Sequence, residues 1–167
     1  MTHVEGHGVE GATQHAKFIE RLRGSKPGVF AFAYWLNSRG YWVEIAPTKE
    51  APCAAEHPQY IDGGDLFARK DGPRLRIEVK TLGVTFSGRN DWPYPNVFVA
   101  SAMSVDRAIG EVYAWVSVSH DLGAAVMMEA TTFGTWTRTT KTASNTGNDE
   151  IFYAAPMEGV KFIKLAT

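Results

Sequence analysis

Three residues define the chemistry to look for, Asp65, Glu78 and Lys80, in the stretches Gly64-Asp65-Leu66-Phe67 and Leu75-Arg76-Ile77-Glu78-Val79-Lys80. In a strand successive side chains point to opposite faces, so Leu75, Ile77 and Val79 are expected to enter a core while Arg76, Glu78 and Lys80 line the other side. The turn-forming pair Asp71-Gly72 lies between the two stretches. A hairpin closed there would set Asp65 alongside Glu78. Two carboxylates and an ammonium would then converge at one edge of a rigid sheet. Hard divalent cations such as Mg²⁺ take oxygen ligands and usually only one or two carboxylates, so Asp65 and Glu78 are candidate metal ligands. A cation there acidifies water and offsets charge growing on a phosphate, and Lys80 would orient the attacking water or act as a point cation. Mutual attraction is expected to keep all three groups charged near neutral pH.

The elements that must position these residues are read from periodicity and from Gly and Pro punctuation. Ala12 to Leu22 reads as a helix with Ala12, Ala16, Ile19 and Leu22 on one face, ending at Arg23-Gly24. A second helix is expected from Pro27 to Arg39, with Gly40 as its left-handed stop and Val29, Phe32, Ala33 and Leu36 as its core stripe. From Tyr41 to Ala46 the period changes to two, the mark of a strand. Strands are also expected at Asp65 to Ala68, Leu75 to Lys80, Asn96 to Ala100, Glu111 to Ser119, Ala124 to Met128 and Val160 to Leu165, with a helix or turn from Met103 to Ile109. Val112, Ala114, Val116 and Val118 are assigned to one face of their strand, and Ala124 to Met128 is expected to pair with it across Asp121-Leu122-Gly123. Thr135 to Asp149 reads as a polar segment, and within it Thr137-Arg138-Thr139-Thr140-Lys141 reads as a hairpin tip. These elements predict an α/β (α+β) fold, a central mixed sheet flanked by helices, in one domain over residues 1–167.

Gly-Asp, a short hairpin, then Ile-Glu-Val-Lys resembles the PD-(D/E)xK nuclease superfamily, whose members include restriction enzymes and Holliday-junction resolvases. The likeness covers mainly Tyr41 to Leu82, and Gly64 stands where the motif has its Pro. The resemblance implies a restriction-endonuclease-like core and a Mg²⁺- or Mn²⁺-dependent nuclease, foremost a DNA endonuclease. Asp65, Glu78 and the backbone carbonyl of Val79 would hold the metal, and Lys80 would assist the nucleophile. A further helix glutamate, Glu10 or Glu20, would complete the site in such a family, with Glu20 preferred here. Duplex or branched DNA is the implied substrate, a homodimer is an open possibility, and the alternative is a nuclease-fold module without catalysis that binds DNA or a protein.

Other residues set limits. The formal net charge of −1 means that a nucleic acid must be held by a local basic patch. Candidates are Arg69, Lys70, Arg74 and Arg76 around the hairpin, which read equally as a solvated turn, and Arg89 in the loop with Trp92 and Tyr94, where packing of the loop by its own aromatics is the preferred reading. The sole cysteine, Cys53, excludes a disulfide framework and a thiolate zinc cluster, and it reads as an ordinary thiol despite His57. His3, His7, His15 and His120 are scattered. With no signal-like start and no apolar run near the ~20 residues that span a bilayer, a cytoplasmic protein without membrane contact is expected.

Overall fold

The computed structural model describes residues 16–17, 19–20, 23–24, 26–47, 49–53, 55–56, 64–143 and 147–165. Helix α1 spans Lys26–Ser38 and buries Gly28, Val29, Phe32, Ala33 and Leu36, the stripe its spacing predicts. Pro27 stands in its first turn, where a missing N–H costs no hydrogen bond, and Gly40 ends the segment at φ 82. The strands are β1 (Trp42–Ile45), β2 (Leu66–Arg69), β3 (Leu75–Thr81), β4 (Asn96–Ser101), β5 (Val112–Val118), β6 (Ala124–Glu129), β7 (Thr137–Thr142), β8 (Asp149–Pro156) and β9 (Val160–Lys164). A short helix α2, Ala102–Ala108, follows β4 directly, with the Ser101 hydroxyl accepting from the Ser104 amide at its start.

The fold is mixed α/β. Six strands form one sheet in the order β1-β2-β3-β5-β6-β9, and three form a second in the order β4-β8-β7. β1, β2 and β3 are antiparallel neighbours, whereas β3 and β5 run parallel. A parallel pair needs a long crossover. Here the crossover contains β4 and α2, which places the small sheet and α2 over one face of the large one. Two cores result. Val29, Phe32 and Leu36 of α1 pack on Leu66, Ala68, Ile77, Val79, Val116 and Val118. On the opposite face Trp115, Val126 and Met128 pack against Val97, Val99, Val105, Tyr153 and Ala155 of the small sheet and α2.

Four sequence expectations change. Helical conformation includes Arg23 and Gly24, so Gly24 is not the stop proposed for the first helix, most of which lies outside the described residues. Val112 does not share a face with Ala114, Val116 and Val118. Arg76 aligns with Val112 but Ile77 with Ala114, and this bulge turns Val112 into the core under α2. Thr137 to Lys141, read as a hairpin tip, instead lies within β7, Thr-Arg-Thr-Thr-Lys-Thr, which pairs with β8 along its length. Its threonines favour extended backbone, and as an edge strand exposed on most positions it needs no apolar alternation. Finally, β8 and thus the whole second sheet were not anticipated. Among the described residues no helix is long and apolar enough to cross a membrane.

Candidate active site

The β2–β3 hairpin forms as its sequence implies. Asp71 takes the left-handed turn conformation at φ 51, and Leu66 pairs with Ile77. One step further along this register Asp65 stands across from Glu78. The Asp65 carboxylate accepts a hydrogen bond from the Val79 amide at 2.7 Å, and its backbone carbonyl accepts from Ala46 at 3.0 Å, so both strands beside it hold it in place. Ile77 and Val79 are buried against α1, which directs Arg76, Glu78 and Lys80 to the other face. Asp65, Arg76, Glu78, Val79 and Lys80 form the floor of a cleft of about 580 Å³ whose opposite wall includes Val99, Ser104, Arg107 and Ala108.

Each charged group in the cleft has a defined surrounding. Glu78 is gripped by Arg76, whose guanidinium donates from Nε at 2.9 Å and approaches the same oxygen with a terminal nitrogen at 2.7 Å. Arg76 also reaches Glu111 at 2.9 Å, so one cation bridges two carboxylates. Lys80 is not the partner of these acids that mutual attraction suggested. Its ammonium donates to the carbonyls of Phe98 at 2.8 Å and Val99 at 2.7 Å. Carbonyls of consecutive residues point to opposite edges of a regular strand; here the β4–β8 register shifts between Phe98 and Ser101, and both meet the same ammonium. Part of the Lys80 side chain lines the cleft, but the ammonium is enclosed, and its enclosure governs its proton affinity. Burial, aided by the charge of Lys141, lowers its pKa from 10.5 to about 8. Ser117, the register neighbour of Lys80 on β5, is fully buried and its hydroxyl has no hydrogen-bond partner among the described residues.

The remaining candidates separate by strand face. Arg69 and Arg74 belong to the hairpin beside the cleft: the Arg69 guanidinium lies 5.6 Å from the Trp42 ring centre, and Arg74 stacks on Phe67 and pairs with Glu44 at 2.8 Å. Lys70 points to the end of α1, donating to the Arg39 carbonyl at 2.7 Å, and does not line the cleft. Arg89 donates to the Met157 carbonyl and is likewise outside it. Trp92 packs edge-on against Phe86, Tyr94 and Phe162, so this loop is filled by its own aromatics. Glu20 is an exposed helical residue that does not line the cleft, and Glu10 lies outside the described residues. Cys53 is an exposed free thiol, and His57 also lies outside the described residues. Among the described residues no three His, Cys, Asp or Glu side chains group as a metal site.

Sequence reading missed Ser104, Arg107, Glu111 and Trp115, which complete the cleft. Ser104 and Arg107 were signalled only by the short helix after β4, and Glu111 and Trp115 only as part of the strand expected from Glu111 to Ser119; the approach of α2 to β3 is set by the crossover. No protein-family model, curated protein or solved structure matches the chain.

Proposed function

We propose that this protein is a Mg²⁺- or Mn²⁺-dependent nuclease, acting on DNA as an endonuclease through Asp65, Glu78 and Lys80. The observation that carries the reading is the meeting of Asp65, Glu78 and Val79 on the floor of one cleft, with the Asp65 carboxylate bonded to the Val79 amide. The donor set fits a hard divalent cation, since the Asp65 and Glu78 carboxylates and the Val79 carbonyl offer only oxygen. When bound, such a cation supplies an acidified water and compensates charge on the phosphate. Asp65 is fixed by its backbone contacts, so its carboxylate needs little reorganisation to serve. Glu78 must exchange part of its contact with Arg76, leaving that guanidinium able to meet a phosphate oxygen beside the scissile bond. Lys80, anchored on two carbonyls, holds a positive charge behind the carboxylates and keeps it at a fixed distance from the substrate.

The test is incubation of the native chain with labelled duplex, branched and single-stranded DNA, with and without Mn²⁺. Cutting should require the metal, and Glu78→Ala and Lys80→Ala should each reduce it by about 10²-fold or more while leaving the circular dichroism spectrum unchanged. Undiminished cutting by either variant refutes the assignment. A second reading is a nuclease-fold module that binds DNA or a protein partner without catalysis, favoured by the grip of Arg76 on Glu78. Calorimetry that finds tight Mn²⁺ binding, lost in Asp65→Ala, rejects that reading.

A further inference from the structure

The sheet face beside the cleft carries more than hydrolysis requires. The small sheet and α2 cover β5, β6 and β9, whereas Trp42 of β1 remains 52% exposed. Leu66 and Ala68 face α1, so Asp65, Phe67 and Arg69 share the opposite face. The register Trp42↔Arg69 and Glu44↔Phe67 adds Trp42 and Glu44 to the same surface. This shelf is continuous with the floor of the cleft through Asp65. Its cations are not all neutralised. Arg74 is paired with Glu44, and Arg76 with Glu78 and Glu111. Arg69 on the shelf and Arg107 on the α2 wall have no acidic partner among the described residues.

We infer that this shelf is the track along which a single-stranded stretch of nucleic acid enters the cleft, with a base stacked on Trp42 and backbone phosphates held by Arg69 and Arg107. The inference rests on the nuclease reading for what happens at the end of the track. Arg69 stands over one side of the Trp42 indole, 5.6 Å from its centre, so the half-exposed ring offers its remaining surface to an unpaired base, and because every base has such a face the contact is independent of sequence. In a duplex the base faces are already stacked on each other and closed to it. Guanidinium groups without carboxylate partners suit phosphate, which they bind in a fork. From Asp65 to Arg69 the strand advances about 13 Å. That is the length of about four stacked nucleotides, and of fewer in an extended strand. The arrangement also supplies the local basic contact that a chain of net charge −1 needs.

Fluorescence anisotropy of a labelled oligothymidylate and of a blunt duplex of equal length, with the full chain in EDTA, tests the track. The native chain should prefer the single strand. Trp42→Ala should weaken single-strand binding by about 5- to 150-fold, the range for loss of one stacked base, and leave the duplex affinity unchanged. Trp42→Phe, which keeps an aromatic face, should retain most of the affinity, and Arg69→Gln should lower the dependence on salt. Equal affinity of native and Trp42→Ala for the single strand, or a preference for duplex, overturns the inference. Cleavage with Mn²⁺ is measured in parallel. Cutting by the native chain combined with unaltered binding by Trp42→Ala sinks the track and spares the nuclease. Loss of single-strand binding in Trp42→Ala, in a chain that never cuts, sustains the track and sinks the nuclease.

Discussion

Raising the pH of the metal-free protein from 7 to 9 should stabilise it, and Lys80 should account for the gain. The Lys80 ammonium has its pKa lowered from 10.5 to about 8 in the folded chain because burial among backbone groups penalises the charged form. Below pH 8 both the folded and the unfolded chain carry the proton, and the folded state bears the full cost of the buried charge. Between pH 8 and 10.5 the unfolded chain holds the proton and the folded chain releases it. Unfolding then takes up a proton, so stability rises with pH across that window. The whole displacement corresponds to about 3 kcal/mol, at about 1.4 kcal/mol for each pH unit. Somewhat less than half, about 1 kcal/mol, is gained between pH 7 and pH 9. Urea unfolding in EDTA, followed by tryptophan fluorescence, reads this as a midpoint increase of roughly 0.5 M. In Lys80→Met the increase should be absent, and the difference between the two proteins cancels every other group that titrates in the same range. Parallel pH profiles for native and Lys80→Met would refute the placement of a desolvated ammonium against the Phe98 and Val99 carbonyls.

The close packing of α1 on the large sheet predicts that Gly28→Ala costs about 1–3 kcal/mol in thermal or urea unfolding. A Cβ at Gly28 would run into the Thr81 hydroxyl and touch Val118, so adding Thr81→Ala should restore part of the loss; a neutral Gly28→Ala would disprove the tight contact. Arg76→Gln removes the cation held on Glu78 and should tighten Mn²⁺ binding about tenfold in calorimetry, an effect of about 1.4 kcal/mol. Unchanged or weaker binding would show that the ion pair does not compete with metal.

Sequence alone determined what depends on neighbours along the chain. Alternation in Leu75 to Lys80 separated the face bearing Glu78 and Lys80 from the face bearing Ile77 and Val79, and the Asp71-Gly72 turn brought Asp65 to Glu78, because a short hairpin leaves little freedom of register. The spacing of Val29, Phe32, Ala33 and Leu36 likewise fixed the buried side of α1. Tertiary structure alone decided the rest. A single bulge moved Val112 to the other core, a change of one residue that no periodicity records. The edge strand β7 escaped notice because a strand with one free margin has no need of an apolar pattern. The partners of Lys80 come from β4, which lies in a different sheet, and the Arg107 wall comes from a helix brought over the carboxylates by the crossover between parallel strands. Which groups meet in the cleft therefore depends on how the two sheets stack, and the resulting burial, absent from any local pattern, is what lowers the proton affinity of Lys80.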